Sequence, residues 1–173
     1  MSMTLQTERL ALRRPEPGDY GACRAFLMSD RAEYLGGPKS LGDTWRTFAS
    51  ELGHWEMMGY GMWAVTERGD NDAVGFVGPW NPEHWPETEI GWMMFDPSTE
   101  GRGIAYEAAK AAIAHAFDGL NWRTAVSYIH PDNLRSIALA KKLGAILDHH
   151  AKVPDPANPC LVYRHLNPEV RLR

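Results

Sequence analysis

The 173-residue sequence holds only two cysteines, Cys23 and Cys160, far apart and outside any Cys-x-x-Cys or Cys/His array. That scarcity removes the disulfide framework of a small secreted domain and the ligand spacing of structural zinc. The seven histidines show no HExxH or comparable spacing, so no metal is expected. No apolar run approaches the length of a membrane span, and the start, MSMTLQTERLALRR, lacks a secretory apolar core and cleavage pattern. The expectation is a cytoplasmic protein with no membrane partner. Positive charge is not in excess either: 18 Lys and Arg against 22 Asp and Glu leave a formal charge of -4. That balance argues against broad nucleic-acid binding and slightly favours the approach of a cationic substrate. Repeats, low-complexity tracts and interdomain linkers are also absent, so residues 1–173 read as a single domain with one core.

What is present is a mixed order of elements. Leu5 to Arg13 alternates Leu10 and Leu12 against Ala11 and Arg13, as in a strand, and Pro15, Pro17 and Gly18 stop it. Asp19 is placed to cap a helix over Tyr20 to Ser29, and a second helix is expected near Asp43 to Met57. Gly61 to Glu67 and Ala73 to Pro79 read as a hairpin about Arg-Gly-Asp-Asn-Asp, with Pro79 ending the second strand. After the Pro-rich loop NPEHWPET, an apolar strand covers Glu89 to Phe95, and a helix runs to about Phe117. Thr124 to Ile129 is a strand, followed by HPDN and a helix ending near Gly144. Two last strands are expected over Ala145 to Val153 and Cys160 to Leu166, joined by the loop from Pro154 to Pro159. This order implies an α/β (α+β) domain built on one mixed, mostly antiparallel sheet flanked by helices.

The stretch STEGRGIAYEAAK sets Gly101 and Gly103 on either side of Arg102, just before strong helix formers. Small residues there let backbone N–H groups approach an anion at a helix N-terminus, although a lone GxG also serves as a plain left-handed turn. The nucleotide loops fail on their own terms. GxxxxGK[ST] is absent, and GxGxxG would need glycine or alanine where Tyr106 stands.

Glu100-Gly-Arg-Gly-Ile-Ala105 resembles the Q/R-x-x-G-x-G/A pyrophosphate motif of the GNAT acyltransferases at every position but the first. The likeness extends through LQTERLALR, GMWAV, AVGFVG, EIGWMMFDPSTEGRGIAYEAA and VSYIHPDNLRSIALAKKLGA, in the manner of the branch containing the ribosomal-protein N-terminal acetyltransferases. It implies a GNAT-like fold whose splayed strands form an acyl-CoA cleft, with acetyl-CoA as cosubstrate. The pantetheine arm would lie beyond Met93, Met94 and Phe95, and the diphosphate would take amides from Gly101, Arg102, Gly103, Ile104, Ala105 and Tyr106. Glu100 stands where the motif has Gln or Arg, so its side chain is expected to turn away from the diphosphate.

The resemblance also implies roles in acetyl transfer to an amine, either a protein N-terminus or a small molecule. Glu89 corresponds to an acidic position that acts as base in many such enzymes; its plain alternative is an exposed strand-end carboxylate beside Glu87. His84 and His130 are rival bases, since imidazole titrates near neutrality. Asn133 would bond the pantetheine amide and Ser136 would face the sulfur, although both also suit the first turn of a helix. Where many relatives carry a tyrosine acid, this sequence has Ala140, which leaves Ser136 or solvent to protonate the thiolate. His84 and Trp85, in the loop before Glu89, are candidates for acceptor recognition. Members of the family often pair, so a homodimer is one expected assembly. The competing reading is a non-catalytic CoA-binding module, motivated by Glu100 and the missing tyrosine.

Overall fold

A computed structural model describes residues 4–158 and 160–167. Its strands are β1 (Leu5–Gln6), β2 (Leu10–Arg13), β3 (Trp63–Glu67), β4 (Gly75–Trp80), β5 (Glu89–Met94), β6 (Ala125–Ile129), β7 (Ile146–Leu147) and β8 (Leu161–His165). Four helices join them: α1 (Tyr20–Leu27), α2 (Leu41–Met58), α3 (Ile104–Ala114) and α4 (Leu134–Lys142). The strands form one sheet in the order β1-β2-β3-β4-β5-β6-β8-β7, antiparallel at every pairing except β5 with β6.

Local chemistry explains the helix ends. Ser40 starts α2 by accepting a hydrogen bond from the Asp43 amide (3.1 Å), and Gly59 ends it in the left-handed region. Thr44, Phe48, Glu51 and Trp55 of α2 recur at three- and four-residue steps and are buried, so a carboxyl group rides the core-facing stripe. In α3 the buried residues are Ile104, Ala108, Ala109 and Ala112, small enough for the helix to lie close on β2, β4 and β5. His54 ties α2 to the loop before β5: its Nδ1 lies 2.7 Å from the Tyr60 carbonyl, and its Nε2 accepts from the Asn81 amide at 3.0 Å.

Several expected boundaries move. The first strand is two, because the chain turns at Thr7, whose amide donates to the Leu10 carbonyl (3.0 Å), and β1 folds back on β2. Asp19 does not cap α1; its carboxylate takes both ends of the Arg13 guanidinium (2.9 and 2.7 Å) and the Glu16 amide (2.8 Å). Pro79 does not end β4, which continues to Trp80 paired with Glu89. The strand expected over Ala145 to Val153 shrinks to Ile146–Leu147, since Asp148 accepts from the His150 amide and forms a turn. The end of the expected 154–159 loop, Pro159, lies outside the described residues.

Candidate active site

The parallel contact of β5 with β6 is confined to one register pair, Glu89 with Val126. Beyond it the strands part, and backbone groups that a continuous ladder would pair need other partners. The Ile90 carbonyl is taken by the buried Ser127 hydroxyl (2.6 Å). The Met94 and Phe95 carbonyls accept from the Arg31 guanidinium, the former at 3.3 Å. The gap opens into a cleft of about 1340 Å3 lined by residues of α1, α2, β5, β6, α3 and α4.

One end of the cleft is built for an anion. Gly101 and Gly103 both hold positive φ (74° and 76°), a backbone state that costs an L-residue with a side chain. They bring the chain into α3 with no side-chain cap, and the Glu107 amide, bonded to the Gly103 carbonyl (3.0 Å), is the first returned to the helix. The amides of Ile104, Ala105 and Tyr106 therefore lack earlier helical carbonyls, and all three residues line the cleft. Arg31, Arg135 and Lys142 add positive charge along the same wall, the Lys142 ammonium 4.6 Å from the Tyr106 ring centre. Glu100 does not turn away as expected: its carboxylate lies on the cleft wall, paired with Arg31 (3.2 Å) and Arg135 (2.8 Å), which neutralise it there.

The other end is acidic and aromatic. Glu89 stands at the apex of the strand gap, where burial raises its carboxyl to about 7 and the Trp85 indole N–H, donating at 2.6 Å, opposes that rise. Glu87 does not compete with it, because Arg164 takes its carboxylate in two bonds (2.7 and 2.9 Å). Glu51 reaches the same space from α2. It is only 4% exposed, its Oε2 has no hydrogen-bond partner among the described residues, and burial with the charge of Glu89 raises its carboxyl to about 8.

Between the two ends, Asn133 Oδ1 accepts from the Ser136 amide (3.1 Å), which makes Asn133 the cap of α4 and leaves its side-chain N–H groups toward the cleft it lines. Ser136 Oγ accepts from the Trp92 indole (3.0 Å), so the hydroxyl proton is uncommitted among the described residues. Ala140 is wholly buried, and the site has no acid there.

Of the residues singled out in the sequence, Glu89, Trp85, Met93, Met94, Gly101, Gly103, Ile104, Ala105, Tyr106, Asn133 and Ser136 line this one cleft. Three do not. Phe95 packs in the core against Phe26 and Phe76, and its amide is spent on the Val74 carbonyl (2.8 Å). Arg102 pairs its guanidinium with Glu67 (2.8 and 2.7 Å), and its amide donates to the Thr99 carbonyl (3.3 Å). His84 is exposed and stacks edge-on with Trp85 (4.6 Å). His130 sits at the cleft wall against Tyr34 (5.2 Å), with Nδ1 already accepting from the Asp132 amide (3.2 Å). Glu51, Arg31, Arg135 and Lys142 were not anticipated. A carboxylate on the apolar stripe of α2 was the available signal for Glu51; Arg31 meets its partners across more than sixty residues of chain and carries no local signal.

A sheet split at a single parallel pair, with a glycine turn feeding an uncapped helix at one end of the cleft and a carboxyl at the apex, is the frame on which the family match below places an acyltransferase. Residues 9–146 match the acetyltransferase (GNAT) domain, and the chain belongs to that family, whose members use acetyl-CoA as cosubstrate. A crystal structure of an acetyltransferase from Agrobacterium tumefaciens str. C58 is 39% identical and superposes with a TM-score of 0.89 over 95% of each chain. YkkB of Bacillus subtilis (strain 168), itself uncharacterised, is 30% identical over 92% of this chain and 93% of its own. The fold is shared at 18% identity with RimL, a ribosomal L7/L12 α-N-protein acetyltransferase, with a TM-score of 0.75 over 96% of both chains. Among the described residues no group of His, Cys, Asp or Glu is placed to hold a metal, and no helix is long and apolar enough to cross a membrane.

Proposed function

We propose that the protein is an acetyl-CoA-dependent N-acetyltransferase acting on a primary amine, with Glu89 as general base and Ser136 beside the departing thiolate. The observation that carries this reading is the placement of Glu89 at the point where β5 and β6 part, on the wall of the cleft that also holds the anion-binding turn. The residues present fit the cosubstrate. The amides of 104–106 and the guanidinium groups of Arg31 and Arg135 suit a diphosphate, and the Asn133 side-chain N–H groups suit a pantetheine carbonyl. Acetyl-CoA supplies an activated acyl group and a thiol leaving group.

The chain's own work is proton handling and positioning. A carboxyl raised to about 7 is divided between acid and base at neutral pH, the condition under which a general base both exists and accepts a proton readily. Glu89 takes a proton from the arriving ammonium, the freed amine nitrogen forms the new N–C bond as the C–S bond breaks, and the second proton that nitrogen loses on becoming an amide goes to the departing thiolate. The Trp85 indole fixes the Glu89 rotamer and favours its ionised form. The Ser136 hydroxyl, held through its oxygen by Trp92, directs its free proton toward the departing sulfur. The anion-binding end and the apex are parts of one wall, so the two reactants are brought together at the strand gap.

The test is release of free thiol from acetyl-CoA against a panel of small amines and peptide N-termini. Turnover with at least one amine supports the reading. CoA binding with no turnover for any acceptor would replace it with a non-catalytic CoA-binding module.

A further inference from the structure

The acceptor end of the cleft holds two carboxyl groups and no counter-ion. Neither Glu51 nor Glu89 forms an ion pair with any described residue. Of the basic side chains on the cleft wall, Arg31 and Arg135 hold Glu100, Lys142 lies over Tyr106, and Lys39 pairs with neither Glu51 nor Glu89. Glu51 is more than nine-tenths buried, lines the cleft and has an oxygen with no donor. Such a group destabilises the fold unless something satisfies it. Trp80 and Trp85 line the same cleft and suit a cation on an alkyl stem.

When both are ionised neither Glu51 nor Glu89 can donate to the other, and the charge of Glu89 disfavours an ionised Glu51 that has no cation beside it. An acceptor with one ammonium cannot balance the Glu51 charge through the reaction, because that nitrogen loses its positive charge when Glu89 deprotonates it and ends as a neutral amide. A second group on the same acceptor that stays positively charged throughout would balance Glu51 before and after transfer. Resting on the transferase reading above, we propose that Glu51 is an acceptor-specificity residue and that the site takes diamines, Glu51 holding the non-reacting ammonium while Glu89 serves the reacting one.

The experiment is titration calorimetry with the CoA-bound protein, comparing 1,3-diaminopropane to 1,6-diaminohexane with monoamines of equal length. The expected result is binding at least tenfold tighter for the best diamine than for its monoamine, with a clear optimum in chain length. Glu51→Gln, which keeps the shape and removes the charge, should reduce that ratio to about one. Glu56→Gln, on the exposed side of α2, should leave it intact. Equal affinity of wild-type protein for diamine and monoamine overturns the proposal without recourse to any variant. So does a diamine preference that survives in folded Glu51→Gln. A diamine preference in binding without thiol release for any amine would leave the Glu51 subsite standing and sink the transferase reading instead.

Discussion

Glu100→Gln should tighten CoA binding by up to about threefold. Glu100 lines the same cleft as residues 104–106, and its carboxylate neutralises part of the charge on Arg31 and Arg135. At a separation of about 6 Å in water, one unit charge acts on another with roughly 0.7 kcal/mol, and a diphosphate carries about two. Screening at physiological salt, with a Debye length of about 8 Å, brings the repulsion to somewhat under 1 kcal/mol. Releasing two partly exposed ion pairs costs little, since such pairs are worth ~0–1 kcal/mol each and have to rearrange to meet a phosphate in any case. Arg31 stays in place without Glu100, because the Met94 and Phe95 carbonyls still hold it. The net is at most about 0.7 kcal/mol, or roughly threefold in Kd. Calorimetry of CoA binding at 0.05 and 0.5 M salt reads it, and the advantage of the variant should shrink at the higher salt. A weaker complex in Glu100→Gln would refute the reasoning and show that Glu100 holds the two arginines in the binding position.

Three further predictions concern the carboxyl groups and the leaving group. Glu51 is raised to about 8 from an ordinary 4.5, so the fold gains most from it below pH 4.5 and loses that gain as pH rises through 8. Glu51→Gln should therefore raise Tm at pH 8.5 and change it little at pH 5; an equal change at both would contradict the burial of an ionisable Glu51. Trp85→Phe removes the donor that favours ionised Glu89 and should move the rising limb of kcat/KM upward by about one pH unit; a downward shift in the pH profile would oppose the assignment. Ser136→Ala should lower kcat by roughly tenfold to a hundredfold while CoA affinity measured by calorimetry stays nearly unchanged, and an intact kcat would hand the thiolate proton to solvent.

The parts of the site that were legible in the sequence are those whose chemistry is local. Gly101 and Gly103 announce a left-handed approach to a helix, and Asn133 with Ser136 three residues on announces a cap; both are as expected. The alternation of Leu10 with Leu12 gave the buried face of β2, but the fold-back of β1 depends on Thr7 and Arg9 meeting Glu107 nearly a hundred residues away. Asp19 looked like a cap because Asp before a helical run usually is one; the tertiary bond to Arg13 outcompeted the cap. Glu100 was misread for the same reason, since its two arginines come from the 30–35 turn and from α4. Glu51 was readable in principle. Thr44, Phe48 and Trp55 mark one helix face, and a carboxylate on that face is an inconsistency of the kind that function tolerates.

The central claim, that Glu89 is the base at the strand gap, is tested most directly by the pH dependence of kcat/KM in wild type and Glu89→Gln, with CoA affinity measured alongside. The account predicts a wild-type limb rising through about pH 7, its loss in the variant with a fall of ~100-fold or more in rate, and CoA binding within about twofold of wild type. A limb near pH 7 that persists in Glu89→Gln would contradict the account and move the base to another residue.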